Sequence, residues 1–289
     1  MSSVSKKKYK SGLPIYHSHA AGIDVGDTRY DVALNEGEDP DIYEVATFGS
    51  TTGDLEELVS WLQSKGIETV AIESTGIYWV NLYLFLEKAG IVPYLVNARH
   101  VKNVTGRKRD DSDAIWLAKL HSCGLLQNSF QPGDEVRTLR DYMRHRKTLI
   151  NTGADATRRM QKALELLNIK VQTVISDILG KTGMRIIKAI IAGERDPSVL
   201  ALLADPRIKA DPETIKRSLK GIWREEYLFM LQQSYQQYQF TQSQLKACDK
   251  CIENWLLTHL AQVLDGDISD LPEKKSPGRT DGTFRHALC

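Results

Sequence analysis

The patterning of apolar residues changes kind at Pro132, and one repeated architecture cannot serve both sides of it. Before Pro132, short β-rich runs alternate with helix-length amphipathic runs. Between residues 133 and 265 no strand-like run occurs, and apolar residues recur at steps of three and four. In the first part, "AAGIDVGDTRYDVALNE" at 20–36 places two apolar runs around a Gly-Asp-Thr turn, which predicts a hairpin. "DIYEVATFGS" at 41–50 predicts a third strand. "TTGDLEELVSWLQSKG" follows with Leu55, Leu58, Val59 and Leu62 at helical spacing and Gly66 as C-cap. "ETVAIES", "IYWVNLYLFLEKAG" and "IVPYLVN" then read as strand, helix and strand, and "GRKRDDSDAIWLAKL" at 106–120 opens another helix. Three antiparallel strands followed by alternating helix and strand predict an α/β domain with a mixed sheet.

In the second part, one seam runs Leu139, Tyr142, Arg146, Leu149, Gly153, Ala156, Met160, Ala163, Leu167. Another runs Tyr227, Leu231, Ser234, Tyr238, Thr241, Leu245, Cys248, Ile252, Trp255, His259. Two heptad helices joined by shorter helical pieces predict a coiled-coil hairpin, or helices that pair between subunits. The polar entries Arg146, Ser234 and Thr241 weaken the seam and leave its register open. The chain therefore divides into a flexible basic arm at 1–19, an α/β domain at 20–130, a helical region at 131–265 and a turn-rich tail at 266–289.

Charge excludes little globally, because 38 Lys and Arg face 37 Asp and Glu. Any nucleic-acid surface must be local. The basic, polar start is unlike a signal peptide, and no apolar run reaches membrane-spanning length. Four cysteines, Cys123, Cys248, Cys251 and Cys289, are too far apart for a disulfide framework and suit a reducing cytoplasm. Cys248 and Cys251 form a CxxC without a second ligand pair, so they read as core or seam residues rather than a zinc site.

Four acids stand out. Asp24 interrupts an apolar strand, where an unpaired carboxylate costs several kcal/mol. Glu73 ends "TVAIES". Asp110 and Asp113, three apart at a helix start, project from nearly the same face. Converging carboxylates repel unless cations lie between them, and two magnesium ions about 4 Å apart stabilise the attacking and leaving oxygens of phosphoryl transfer. The bland alternative is equally physical: Asp110, Asp111 and Asp113 each favour a helix N-terminus by about 1 kcal/mol. Asp27 and Asp31 read as turn and surface residues. From pattern alone the two readings stay open.

"GIDVGDTRYDVAL", "AIESTGIYW", "LVNARHVKNVTGRKRDDSDAIWLAKLHSCGLLQNSFQP" and "LRDYMRHRKTLI" together resemble the DEDD transposases of bacterial insertion sequences. The resemblance spans roughly 20–265 and is densest over 97–150. It implies a ribonuclease H-like (RuvC-like) α/β domain at 20–130 followed by an all-helical coiled-coil region. Its acidic tetrad falls on Asp24, Glu73, Asp110 and Asp113, which it assigns as catalytic ligands of magnesium, with manganese as substitute. Asp111 occupies a spacer position, and Arg109 replaces a small hydroxyl residue. The implied activity is DNA strand cleavage and exchange guided by a structured RNA, in the bacterial cytoplasm at the nucleoid, by a dimer or tetramer that uses no membrane. The family also uses a serine nucleophile in a C-terminal domain. Its motif is not found here, Ser269 and Ser276 are not assigned that role, and the chain reads as a truncated transposase.

Beside the tetrad, Arg99, Lys102, Arg107, Lys108 and Arg109 form an acid-free basic run. A second stripe between 137 and 162 includes Arg144, Arg146 and Lys147. Both are assigned to nucleic acid, through phosphate contacts that displace counterions. Tyr78 and Trp79 suit base stacking or core packing alike. Two rivals remain: a non-catalytic nucleic-acid-binding remnant, and an actin-like ATP-binding protein. "GIDVGDT" resembles a first phosphate loop, but no second glycine-rich loop follows.

Overall fold

The computed structural model describes residues 5–8, 14–35, 42–74, 76–97 and 113–264. The chain forms two compact units, Met1–Pro132 and Gly133–Cys289.

The first unit is built on a six-stranded sheet. Its strands are β1 (Ser5–Lys8), β2 (Ala20–Val25), β3 (Arg29–Asn35), β4 (Ile42–Gly49), β5 (Thr69–Glu73) and β6 (Val92–Val96). The order is β1-β4-β3-β2-β5-β6. β2, β3 and β4 form an antiparallel meander, while β5 lies parallel to β2 and β6 parallel to β5. This mixed order is the ribonuclease H-like arrangement expected for the α/β part.

Alternation along the strands gives the sheet two covered faces. On one face Ile23, Val32, Ile72 and Leu95 pack against α1 (Thr52–Ser64) through Leu55, Leu58 and Leu62. α2 (Trp79–Lys88) covers the same face with Leu82 and Leu86. α1 starts with a capping box between Thr51 and Asp54, and Gly66, at φ +68°, takes the left-handed position just past its end. The opposite face carries α3 (Asp113–Ser122), whose Ala114, Ile115 and Ala118 meet Ala33 and Tyr43.

One departure concerns the amino terminus. The basic arm expected over residues 1–19 contributes an edge strand, because Ser5–Lys8 pairs antiparallel with Ile42–Val45. Ladder bonds come from the backbone, so a lysine-rich tetrapeptide pairs without β-favouring side chains, and lysines at an edge discourage further strand addition. At the other edge Asn128 Oδ1 accepts from Leu95 N at 3.0 Å, and Ser129 N donates to Leu95 O at 2.7 Å.

His121 is buried near the end of α3, hydrogen-bonded to Thr69 Oγ1 at 2.9 Å and stacked on His17 at 4.9 Å. Burial first, then the neighbouring His17, pulls its imidazole down from 6.5 to about 4. The folded state therefore binds this proton less readily than the unfolded chain does. Stability attached to His121 is complete above about pH 7, falls as pH drops from 6.5, and levels off below 4, with a total loss of about 3 kcal/mol. Thermal unfolding at pH 7 and pH 4.5 should show this loss in the native protein and a smaller one in His121→Asn.

The second unit is all helical among its described residues. α4 (Asp134–Leu166) and α8 (Glu225–Leu264) are its long elements. Between them lie α5 (Lys181–Ile191), α6 (Pro197–Ala201) and α7 (Pro212–Ser218). α6 and α7 each begin with an Asp N-cap followed by proline, Asp196–Pro197 and Asp211–Pro212. Arg146 Nε donates to Asp249 Oδ1 at 2.6 Å, and Gly153 lies against Thr241 and Gln242. Position rises along α4 as it falls along α8, so the two helices run antiparallel within one chain. The predicted seams are the least exposed stripes of both helices, with Gly153, Ala156, Met160, Ala163, Leu231, Ser234 and Thr241 all buried. The polar entries are satisfied: Ser234 Oγ donates to Met230 O and Thr241 Oγ1 to Gln237 O, each at 2.8 Å. No helix among the described residues is long and apolar enough to cross a membrane.

Candidate active site

The described members of the acid set lie toward one end of one sheet face. Ile23 and Ile72 are register partners on parallel β2 and β5. One step further along each strand sets Asp24 beside Glu73, at the C-terminal ends of both strands and on the face opposite the Ile23–Ile72 core.

That face is the one α3 covers, and Gly22 explains how closely. A Cβ on Gly22 would stand 2.5 Å from the Ala114 carbonyl oxygen and would also collide with the Ala118 amide nitrogen. The helix backbone rests directly on β2 because residue 22 has no side chain. α3 runs against the strand direction: its His121 reaches Thr69 at the start of β5. Its first residue, Asp113, therefore faces toward the sheet end that carries Asp24 and Glu73. None of these three acids is without an interaction partner.

Asp110 lies outside the described residues, as do Arg99, Lys102, Arg107, Lys108 and Arg109. Among the described residues no three His, Cys, Asp or Glu side chains form a group able to hold a metal. The donor chemistry is uniform nonetheless: Asp24, Glu73 and Asp113 offer carboxylate oxygens alone, the donors a hard divalent cation takes.

Asp27 sits exposed in the hairpin loop, as expected. Asp31 does not follow its surface reading. It is the register partner of Asp24 on β3. It accepts from Thr47 Oγ1 at 2.6 Å and pairs with Arg29 Nε at 3.3 Å. The signal was present in the spacing, since Asp24 and Asp31 are equidistant from the two-residue loop of the hairpin.

The aromatic pair after Glu73 divides. Trp79 packs against the α1–α2 core and meets Tyr83 edge-on, while Tyr78 stays 45% exposed beside Ile77. In the second unit, Arg144 pairs with Asp141 on α4, Lys147 is exposed, and Arg146 is engaged by Asp249 across the hairpin. Cys248 is buried with its Sγ toward Tyr142 O, whereas Cys251 is exposed.

No curated protein matches this chain. Residues 21–169 match the DEDD_Tnp_IS110 family of transposases. The matched span begins on the strand that carries Asp24, passes Glu73 and Asp113, and ends just beyond α4. A match over just over half the chain, on a sheet of the expected order, makes this protein a member of the DEDD-type IS110 transposase family.

Proposed function

We propose that the chain carries out magnesium-dependent cleavage and exchange of DNA strands, with Asp24, Glu73, Asp110 and Asp113 as its metal-binding acids. The observation that carries this reading is the register that sets Asp24 beside Glu73 at the ends of parallel strands, on the face where Asp113 opens α3. Carboxylates so placed offer oxygen donors from neighbouring strands to one hard divalent cation. Magnesium bound there supplies charge stabilisation to the attacking and leaving oxygens of the phosphoryl transfer. The basic residues Arg99, Lys102, Arg107, Lys108 and Arg109 precede Asp110 and receive the DNA backbone, which fixes the strand's position without reading its sequence. A structured guide RNA and an assembly of two or four chains complete the proposal, and both rest on the family resemblance.

A calorimetric manganese titration tests the site directly, because manganese binds oxygen-rich sites more tightly than magnesium. The native protein should bind manganese saturably, and Asp113→Asn and Asp110→Asn should each weaken binding at least tenfold. Equal binding by all three proteins would return Asp110 and Asp113 to helix capping and leave a nucleic-acid-binding protein without this chemistry.

A further inference from the structure

We propose that Arg29 binds a backbone phosphate of the DNA strand beside the acid site, and that Asp31 is the residue that positions it. The inference rests on the acid-site reading above and extends it to two residues outside the tetrad.

Arg29 and Asp31 are two apart on β3, so both project from the same face of the sheet. Asp31 shares that face with Asp24, its register partner. Asp31 thus stands with an acid opposite it on the neighbouring strand. The fold retains it and ties it down from two sides. Thr47 Oγ1 on β4 donates to Asp31 Oδ1 at 2.6 Å, and Arg29 Nε lies 3.3 Å from Asp31 Oδ2. The carboxylate is 24% exposed, which limits its rotation, while the arginine is 70% exposed.

The pair differs from an ordinary exposed ion pair, in which both ends swing freely in solvent. Here a fixed carboxylate holds the guanidinium beside it by charge, with Nε 3.3 Å away, and the fork of five donor hydrogens is matched to phosphate oxygens. Across the hairpin from Arg29 stands Gly26, whose N donates to Arg29 O at 3.0 Å. With no side chain at residue 26, nothing from that position screens the guanidinium from a strand approaching Asp24. The order Thr47, Asp31, Arg29 is thus a relay: the hydroxyl orients the acid, and the acid orients the base.

The test is equilibrium binding of a DNA duplex and an RNA hairpin across a salt series, with manganese calorimetry and a melting temperature on each protein. The variants are Arg29→Ala, Arg29→Lys, Asp31→Asn and Arg29→Ala/Asp31→Asn. Arg29→Ala should weaken DNA binding about tenfold and reduce the salt slope by about one phosphate contact. Arg29→Lys should keep the slope and recover part of the affinity. Asp31→Asn is decisive by sign. Removing a surface acid near DNA ordinarily strengthens binding, whereas loss of a positioning acid weakens it, here about threefold. In the Arg29→Ala background the Asp31→Asn change should no longer weaken binding. Manganese binding should survive in all four variants.

Tighter DNA binding by Asp31→Asn, independent effects of the two changes, or an effect confined to the RNA overturns the proposal. Loss of manganese binding in Asp31→Asn makes Asp31 a ligand and overturns it too. A native protein that binds manganese and DNA, with Arg29→Ala unchanged, refutes this inference alone. A native protein that binds neither refutes the acid-site reading and this inference together.

Discussion

Asp24→Asn should lower the rate of metal-dependent DNA strand cleavage on the order of a thousandfold and remove the thermal stabilisation that manganese gives the native protein. The rate loss corresponds to about 4 kcal/mol of transition-state stabilisation, the scale on which one precisely aimed charge acts in a water-poor site. Asparagine keeps the shape of the side chain and removes its charge. The stability change follows from register: Asp24 lies between Asp31 on one neighbouring strand and Glu73 on the other. A cation held at that sheet end takes carboxylate oxygens, and neutralising Asp24 removes one of its ligands. Manganese should raise the melting temperature of the native protein by about 2 °C or more and leave that of Asp24→Asn unchanged. Asp27→Asn, in the exposed hairpin loop, should change neither quantity. Nicking of supercoiled DNA over time, with melting curves on the same samples, measures both. Cleavage by Asp24→Asn at the native rate would make the acids structural.

What the sequence made legible and what it hid follow the range of the forces involved. The hairpin of β2 and β3 was visible because its alternation and its turn lie within sixteen residues of one another. The seams of α4 and α8 were visible because a heptad repeat needs only its own helix. Whether those helices pair with each other depends on contacts such as Arg146 with Asp249, more than a hundred positions apart, and no local pattern carries that. β1 was hidden because lysines have no strand pattern and its pairing is made by backbone alone. Asp24 and Glu73 are legible as acids in apolar strands, and the register of β2 and β5 sets them next to each other. Asp31 reads as a surface residue by type alone, and only the register through the hairpin sets it beside Asp24. The role of Gly22 was hidden for the same kind of reason: a glycine in a strand signals a close approach, but not which backbone approaches.

That approach gives the largest stability effect expected in the first unit. Gly22→Ala should destabilise it by about 3 kcal/mol or more, lowering its melting temperature by about 10 °C. The atoms a new Cβ would meet are the Ala114 carbonyl oxygen, the Leu117 carbonyl carbon and the Ala118 amide nitrogen, all of them backbone. A side chain can rotate away from a methyl group, but a helix backbone can only move as a body. The shift would open the packing of Ala114, Ile115 and Ala118 on Ala33 and Tyr43. It would also carry Asp113 away from the sheet end that bears Asp24 and Glu73. Manganese affinity should therefore fall even at temperatures where the unit stays folded. Gly53→Ala supplies the contrast, since position 53 lies in α1 with nothing within 4 Å of a new Cβ. There the same substitution should raise stability by about 0.5–1 kcal/mol through helix propensity and a less flexible unfolded chain. Opposite signs for the two glycines would place the cost in the contact between α3 and β2 rather than in the loss of glycine. Equal, small shifts would mean that α3 does not rest on β2, and the route by which Asp113 reaches the acids would fall with it.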